Sequence, residues 1–164
     1  MLKALGLDHF LDHLNGHARR LIFGNMINAI GMGLTMTLFL VYLHTIRGFS
    51  GGFSGLVMSY MAIFSMVINP LIGILIDKYG GRIVLIFGLF IKAVGVFSLA
   101  FVESKPQVIG VATILAIGDA ANWPAQTVCL TRMVEVEARQ KVFAFNFMAL
   151  NLGIGIGGIL SALI

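Results

Sequence analysis

The sequence has 164 residues, of which 59% are hydrophobic and 11% charged, against about 25% charged residues in an ordinary soluble domain. That composition excludes a soluble globular protein and points to a membrane protein. The net charge of +4 does not signal nucleic acid, because the basic residues are dispersed among loops instead of gathered on one amphipathic face.

A spanning helix needs about 20 mostly apolar residues, since each residue rises about 1.5 Å and the hydrocarbon layer is about 30 Å thick. Five stretches meet this, approximately 21–43, 56–76, 83–102, 108–130 and 142–164. They are continuous rather than alternating, and in lipid only helices or closed barrels satisfy every backbone group, so helices are expected. The expected fold class is all-α, a polytopic membrane bundle over residues 21–164 preceded by an N-terminal segment, 1–20. Lys3, Arg19, Arg20, Lys78, Arg82, Arg132, Arg139 and Lys141 fall on one side of these spans, and only Arg47 and Lys105 on the other. The positive-inside rule then puts the N-terminus in the cytoplasm and Ile164 at the outer face of the cell membrane. The first apolar run is too long for a cleavable signal and reads as an anchor. Cys129 is the one cysteine, so no intrachain disulfide forms.

In chain order, residues 2–17 form an amphipathic stretch, with Leu7, Phe10, Leu11 and Leu14 opposite Asp8, His9, Asp12 and His13. It is expected to lie on the membrane surface. His9, His13 and His17 have helical spacing, but Asn15-Gly16 interrupts it and a solvated polar face accounts for them, so no metal is expected. In the first span Gly24, Asn28, Gly31 and Thr35 share a face that is either a helix contact or a cavity wall, with Asn25 and Asn28 favouring the cavity. The loop 47–55 is a short glycine-rich connector without the Lys-Ser/Thr of a phosphate cradle. Pro70 is expected to kink the second span.

Between the second and third spans runs Gly73-Ile-Leu-Ile-Asp77-Lys78-Tyr-Gly80-Gly81-Arg82. Gly80-Gly81 permits a tight reversal. The pattern Gly-x-x-x-Asp-Lys/Arg-x-Gly-x-Arg/Lys, in this place between two apolar runs, resembles the signature loop of the major facilitator superfamily. Gly73, Asp77, Lys78, Gly80 and Arg82 match it, and Gly81 departs, standing where a second basic residue is usual. The resemblance implies a secondary transporter of two six-helix halves around a central path, whose first and fourth helices face that path. It also implies that this loop holds the halves together in one state and releases them in another. Asp77 would accept hydrogen bonds from another helix's N-terminal amides and pair with an arginine such as Arg132.

In the third span Lys92 lies about 14 Å from the cytoplasmic start at 1.5 Å per residue, too deep to snorkel, and shares a face with Gly88 and Gly95. It should point into the bundle. Glu103 and Lys105 mark the far surface, and Pro106 opens the fourth span. There Asp119, Asn122 and Gln126 form one polar stripe with a carboxylate near mid-membrane, beside Trp123-Pro124, which suggests a kink and an aromatic wall. Asp119 is either an ion-coupling or substrate-contacting carboxylate, or half of a structural pair with Lys92, which lies at a similar depth on the adjacent antiparallel span. The loop 132–141, acidic and then basic, resembles the loop before the family's fifth helix. In the fifth span Gly153, Gly157 and Ser161 recur every four residues, the spacing for close helix packing. The run 151–158 is similar to the glycine-rich fifth-helix motif of the family's drug/proton antiporters, with Gly158 where that motif has proline and Ser161-Ala162 where it has glycines.

The resemblance covers residues 21–164 and implies the N-terminal five-helix portion of a secondary active transporter. Such a protein moves a small solute by alternating access, is coupled to protons, and is of the multidrug efflux type. It would need the missing C-terminal helices or a second half as partner, with the lipid bilayer as its medium. Two alternatives are a non-transporting membrane subunit or truncated gene fragment, and a solute/proton symporter working in uptake. No cofactor is expected. No His/Cys/carboxylate group converges at one depth, so an enzyme is not expected.

Overall fold

The computed structural model describes residues 16–163; the segment expected to be amphipathic lies outside them up to residue 15, with His9 and His13. Five helices are long and apolar enough to cross a membrane. They are α1 (Gly16–Val41), α2 (Gly51–Tyr79), α3 (Gly81–Leu99), α4 (Lys105–Met133) and α5 (Arg139–Ser161). A π-helical turn, Tyr42–Ile46, extends α1, and a 3-10 turn, Val136–Ala138, precedes α5. Each helix falls on one of the five apolar runs, with ends displaced by several residues because polar first and last turns stay helical. The shortest, α3, has 19 residues, about 29 Å at 1.5 Å per residue, close to the hydrocarbon thickness. Helix α2 runs unbroken through Pro70 and α4 through Pro124.

The described residues divide into two compact units, one made of residues up to 39 together with those from 130 on, and the other of residues 40–129. In the first, α1 and α5 pack through small residues. Ala18, Ile22, Asn25, Ala29 and Gly33 form the buried face of α1, against Val142, Asn146, Ala149, Gly153 and Gly157 on α5. A Cβ on Gly153 would stand 2.6 Å from the Met26 carbonyl oxygen, and one on Gly157 would fall on the Ile30 carbonyl oxygen and 2.9 Å from the Leu34 nitrogen. Only glycine permits backbones this close. Within this contact Asn25 Nδ2 donates to Asn146 Oδ1 at 2.9 Å, which pairs the buried Asn25 amide with the Asn146 carbonyl oxygen. Leu130, Ala18, Ile22, Val142 and Ala149 make the apolar cluster at the end of this pair.

The contact face of α1 is one residue out of register with the expected stripe. Gly24 and Gly31 have nothing within 4 Å of a would-be Cβ, and Thr35 Oγ1 donates back to the Gly31 carbonyl at 2.8 Å. One residue is about 100° of helical turn, so Asn25 is buried in the helix contact while Asn28 lies off it. The expectation that Asn25 favours a cavity is corrected: its amide is consumed by Asn146.

In the second unit α2 and α3 are joined by Gly80 alone, at φ 85° and ψ 149°. That conformation is open only to glycine. Helices α3 and α4 then run antiparallel on a seven-residue glycine repeat. A Cβ on Gly81 would meet the Ala125 carbonyl oxygen at 3.0 Å, one on Gly88 the Ala121 Cβ at 2.7 Å, and one on Gly95 the Leu115 Cδ2 at 2.7 Å. Gly81, a departure from the family pattern, is thus a packing position here, buried under α4. Helices α2 and α4 are stitched by Tyr60 OH with Thr113 Oγ1 at 2.8 Å and by Ser65 Oγ donating to the Ala116 carbonyl at 3.1 Å.

At the other end of this unit Arg47 closes the π turn onto α3. Its Nε donates to Tyr42 OH at 2.6 Å and its terminal nitrogen to the Ala100 carbonyl at 2.7 Å, while Tyr42 OH donates to the Leu99 carbonyl at 2.5 Å. These carbonyls end α3, where a cation is favoured by the helix dipole. Gln107 Oε1 accepts from the Glu103 and Ser104 backbone amides at 2.8 and 3.0 Å, the reciprocal half of a capping box that starts α4.

Candidate functional site

The antiparallel register that sets Gly88 against Ala121 and Gly95 against Leu115 brings Lys92 opposite Asp119. Gly118 makes the approach possible, because a Cβ there would lie 2.8 Å from Lys92 Cβ. The Lys92 Nζ donates to Asp119 Oδ1 at 2.6 Å. Asp119 is the midpoint of α4, so this is the level at which an isolated charge costs most in a bilayer. Each charge offsets the desolvation of the other. Among the described residues this is the one ion pair between side chains.

The two partners are not equally covered. The Lys92 side chain keeps 12% of its surface exposed and that of Asp119 38%. Asp119 opens on a recess of about 360 Å³ lined by Ser65 and Asn69 of α2 and by Asp119, Ala120, Trp123 and Pro124 of α4. The recess therefore holds one carboxylate, one carboxamide, one hydroxyl and one indole, an arrangement suited to a hydrogen-bonding or cationic group with an apolar body. Trp123 is 60% exposed, in the position of the expected aromatic wall.

Of the residues expected on this path, Asp119 and Lys92 come together, and Asn122 and Gln126 are not among the residues that line this recess. Gln126 is 4% exposed, and its Oε1 has no partner among the described residues. It is thus buried and does not line the recess. Asn122 is half-buried outside the recess, and Asn28 belongs to the other unit. Ser65 and Asn69 were not anticipated, although they stand four residues apart on one face of α2, a spacing visible in the sequence. Gly118 escaped notice because its role depends on which residue faces it.

In the hinge, Asp77, Lys78 and Arg82 are exposed, and none forms an ion pair among the described residues. Lys78 Nζ lies 5.2 Å from the Tyr79 ring centroid, within cation–π range. Gly73 has open space where a Cβ would be, whereas Gly80 is held to its positive φ. His17, described at the start of α1, belongs to no cluster of three or more potential metal ligands among the described residues.

Comparison with known proteins places this architecture. Residues 21–164 match the model of the Major Facilitator Superfamily. An uncharacterized MFS-type transporter, YttB of Bacillus subtilis, is 28% identical over 88% of this chain and 36% of its own length. The multi-drug resistance efflux pump PmrA homolog of Lactococcus lactis is 26% identical over 89% of this chain and 38% of its own length. The quinolone resistance protein NorA of Staphylococcus aureus is 26% identical over 86% of this chain and 37% of its own length. The chain thus spans well under half the length of these relatives. With five helices long and apolar enough to span a membrane, the glycine hinge between the second and third, and a family match that reaches into all five, this multi-pass membrane protein belongs to the Major Facilitator Superfamily.

Proposed function

We propose that these five helices serve in a secondary active transporter that moves a small solute by alternating access, coupled to protons and working in efflux. The carrying observation is the Lys92–Asp119 pair, 2.6 Å apart at mid-helix, with its carboxylate side open to the recess. Such a carboxylate is a site for which the Lys92 ammonium and a proton compete, and an exchange between them changes the charge facing the solute. Efflux rests on the likeness to two relatives, a multi-drug resistance efflux pump homolog and a quinolone resistance protein. In this reading Asp77, Lys78, Gly80 and Arg82, with Gly73, form the conformational switch. Asn28, on the face of α1 that α5 leaves uncovered, belongs to the solute path, as do Asn122 and Gln126 once the helices shift.

The loop charges support a cytoplasmic N-terminus in the cell membrane. An impermeant thiol reagent should label a cysteine placed at Gly51 and miss one placed at Gly81; the reverse pattern overturns the orientation.

The coupling role is tested by solute and proton fluxes in vesicles from cells expressing the native gene product. Asp119→Asn should abolish proton-driven movement and leave solute exchange without a gradient intact. Normal proton-driven movement in a well-expressed Asp119→Asn variant rules the coupling role out.

A further inference from the structure

The second unit carries an apolar groove distinct from the Asp119 recess. Its floor is the contact of Gly88 with Ala121, where α3 and α4 nearly touch. Larger side chains stand around that floor, Ile72, Leu75 and Tyr79 on α2 and Ile83, Phe87 and Ile91 on α3, and they enclose about 390 Å³. Leu75, Tyr79, Ile83 and Phe87 remain exposed along it. Small residues at the helix contact and long ones beside it are what leave the hollow.

The groove reaches the hinge, and there its surroundings change from apolar to cationic. Lys78 Nζ stands over the ring of Tyr79, a groove wall, at 5.2 Å. Arg82 is exposed one residue before Ile83, another wall. Neither cation has a carboxylate within ion-pair distance among the described residues. Asp77, the acid next to them in sequence, is two residues from Tyr79, which is about 200° of helical turn, so it leaves α2 on the side away from the groove. The first turn of α3 adds the positive end of a helix dipole at the same place.

We propose that the groove seats one acyl chain of an anionic phospholipid whose phosphate is held by Lys78 and Arg82. The hollow lies within spanning helices, where hydrocarbon is the surrounding medium. These two cations, without an ion-pair partner among the described residues, stand where a chain lying in the groove would place its headgroup. The occupant is thereby specified at both ends, apolar along the helices and negative at the hinge. Bound there, the lipid bridges α2 and α3 across their one-residue connection and loads the hinge without touching Asp119.

The test is native mass spectrometry of the whole chain released from micelles that contain equal amounts of phosphatidylglycerol and phosphatidylcholine with the same acyl chains. Only folded molecules with retained lipid are counted. Phosphatidylglycerol should be retained in preference, and Lys78→Gln with Arg82→Gln should weaken its binding by about fivefold per charge removed, as about 1 kcal/mol per basic residue near a membrane implies, while phosphatidylcholine is unaffected. Leu75→Trp, at an exposed wall position, fills the groove and should lower retention of both lipids with both cations still present. Equal retention of the two lipids overturns the proposal, as does a preference that survives loss of both cations. Displacement of phosphatidylglycerol by inorganic phosphate alone would assign the site to the headgroup and overturn the acyl-chain seat.

Discussion

Lys92 on α3 donates to Asp119 on α4 across 2.6 Å, directly beside the glycine, Gly118, that lets the two helices meet. Asp119→Asn leaves the largely covered Lys92 ammonium without its counter-charge. Stranding one member of a fully buried pair costs about 3–5 kcal/mol; with Asp119 38% exposed, solvent reduces this to about 1–2 kcal/mol. The expected result is a lower unfolding midpoint in detergent for Asp119→Asn and a largely restored one for Asp119→Asn with Lys92→Met. If the double variant is as unstable as the single, the pair is not what holds these residues.

The α1–α5 contact predicts a sharp contrast between two glycines of one helix. Gly157→Ala puts a methyl group onto the Ile30 carbonyl and Leu34 amide of α1 and should destabilise by about 1–3 kcal/mol, the usual cost of overpacking. Gly155→Ala, with nothing within 4 Å, should be neutral or stabilising by up to about 1 kcal/mol through helix propensity. Thermal unfolding of the two variants side by side decides it.

Asn25 donates a buried hydrogen bond to Asn146 in the same contact. Asn25→Leu should cost about 1 kcal/mol, in the range of hydrogen bonds between membrane helices, because Asn146 loses its partner. The Asn25→Leu/Asn146→Leu double variant should recover most of it. A double-mutant cycle with a coupling near zero would show the carboxamides to be independent.

The two motif glycines at the end of α2 should behave differently. Gly80→Ala must adopt φ 85° and is expected to lose about 1–3 kcal/mol to backbone strain. Gly73→Ala meets open space and should fold at least as well as the parent. Equal stability of both variants would contradict the one-residue turn.

The five helices and their approximate limits were legible in the sequence because the bilayer requires length and continuous apolarity, properties that residues possess singly. The hinge was legible for a similar reason, since Gly80-Gly81 between apolar runs has one conformational use. The pairing of Lys92 with Asp119 was half legible: similar depth on adjacent antiparallel spans allowed it, but both a structural and a coupling role stayed open. What the sequence could not settle was the rotation of each helix about its own axis. Gly24, Asn28, Gly31 and Thr35 form as good a stripe as Asn25, Ala29 and Gly33, and the two are about 100° apart. The choice between them belongs to α5, whose Gly153, Gly157 and Asn146 fit only the second. Rotation likewise sent Gln126 into the interior while Asn69 and Ser65 reached the recess beside Asp119. Facing is a property of two surfaces at once, so it is decided only when the helices pack.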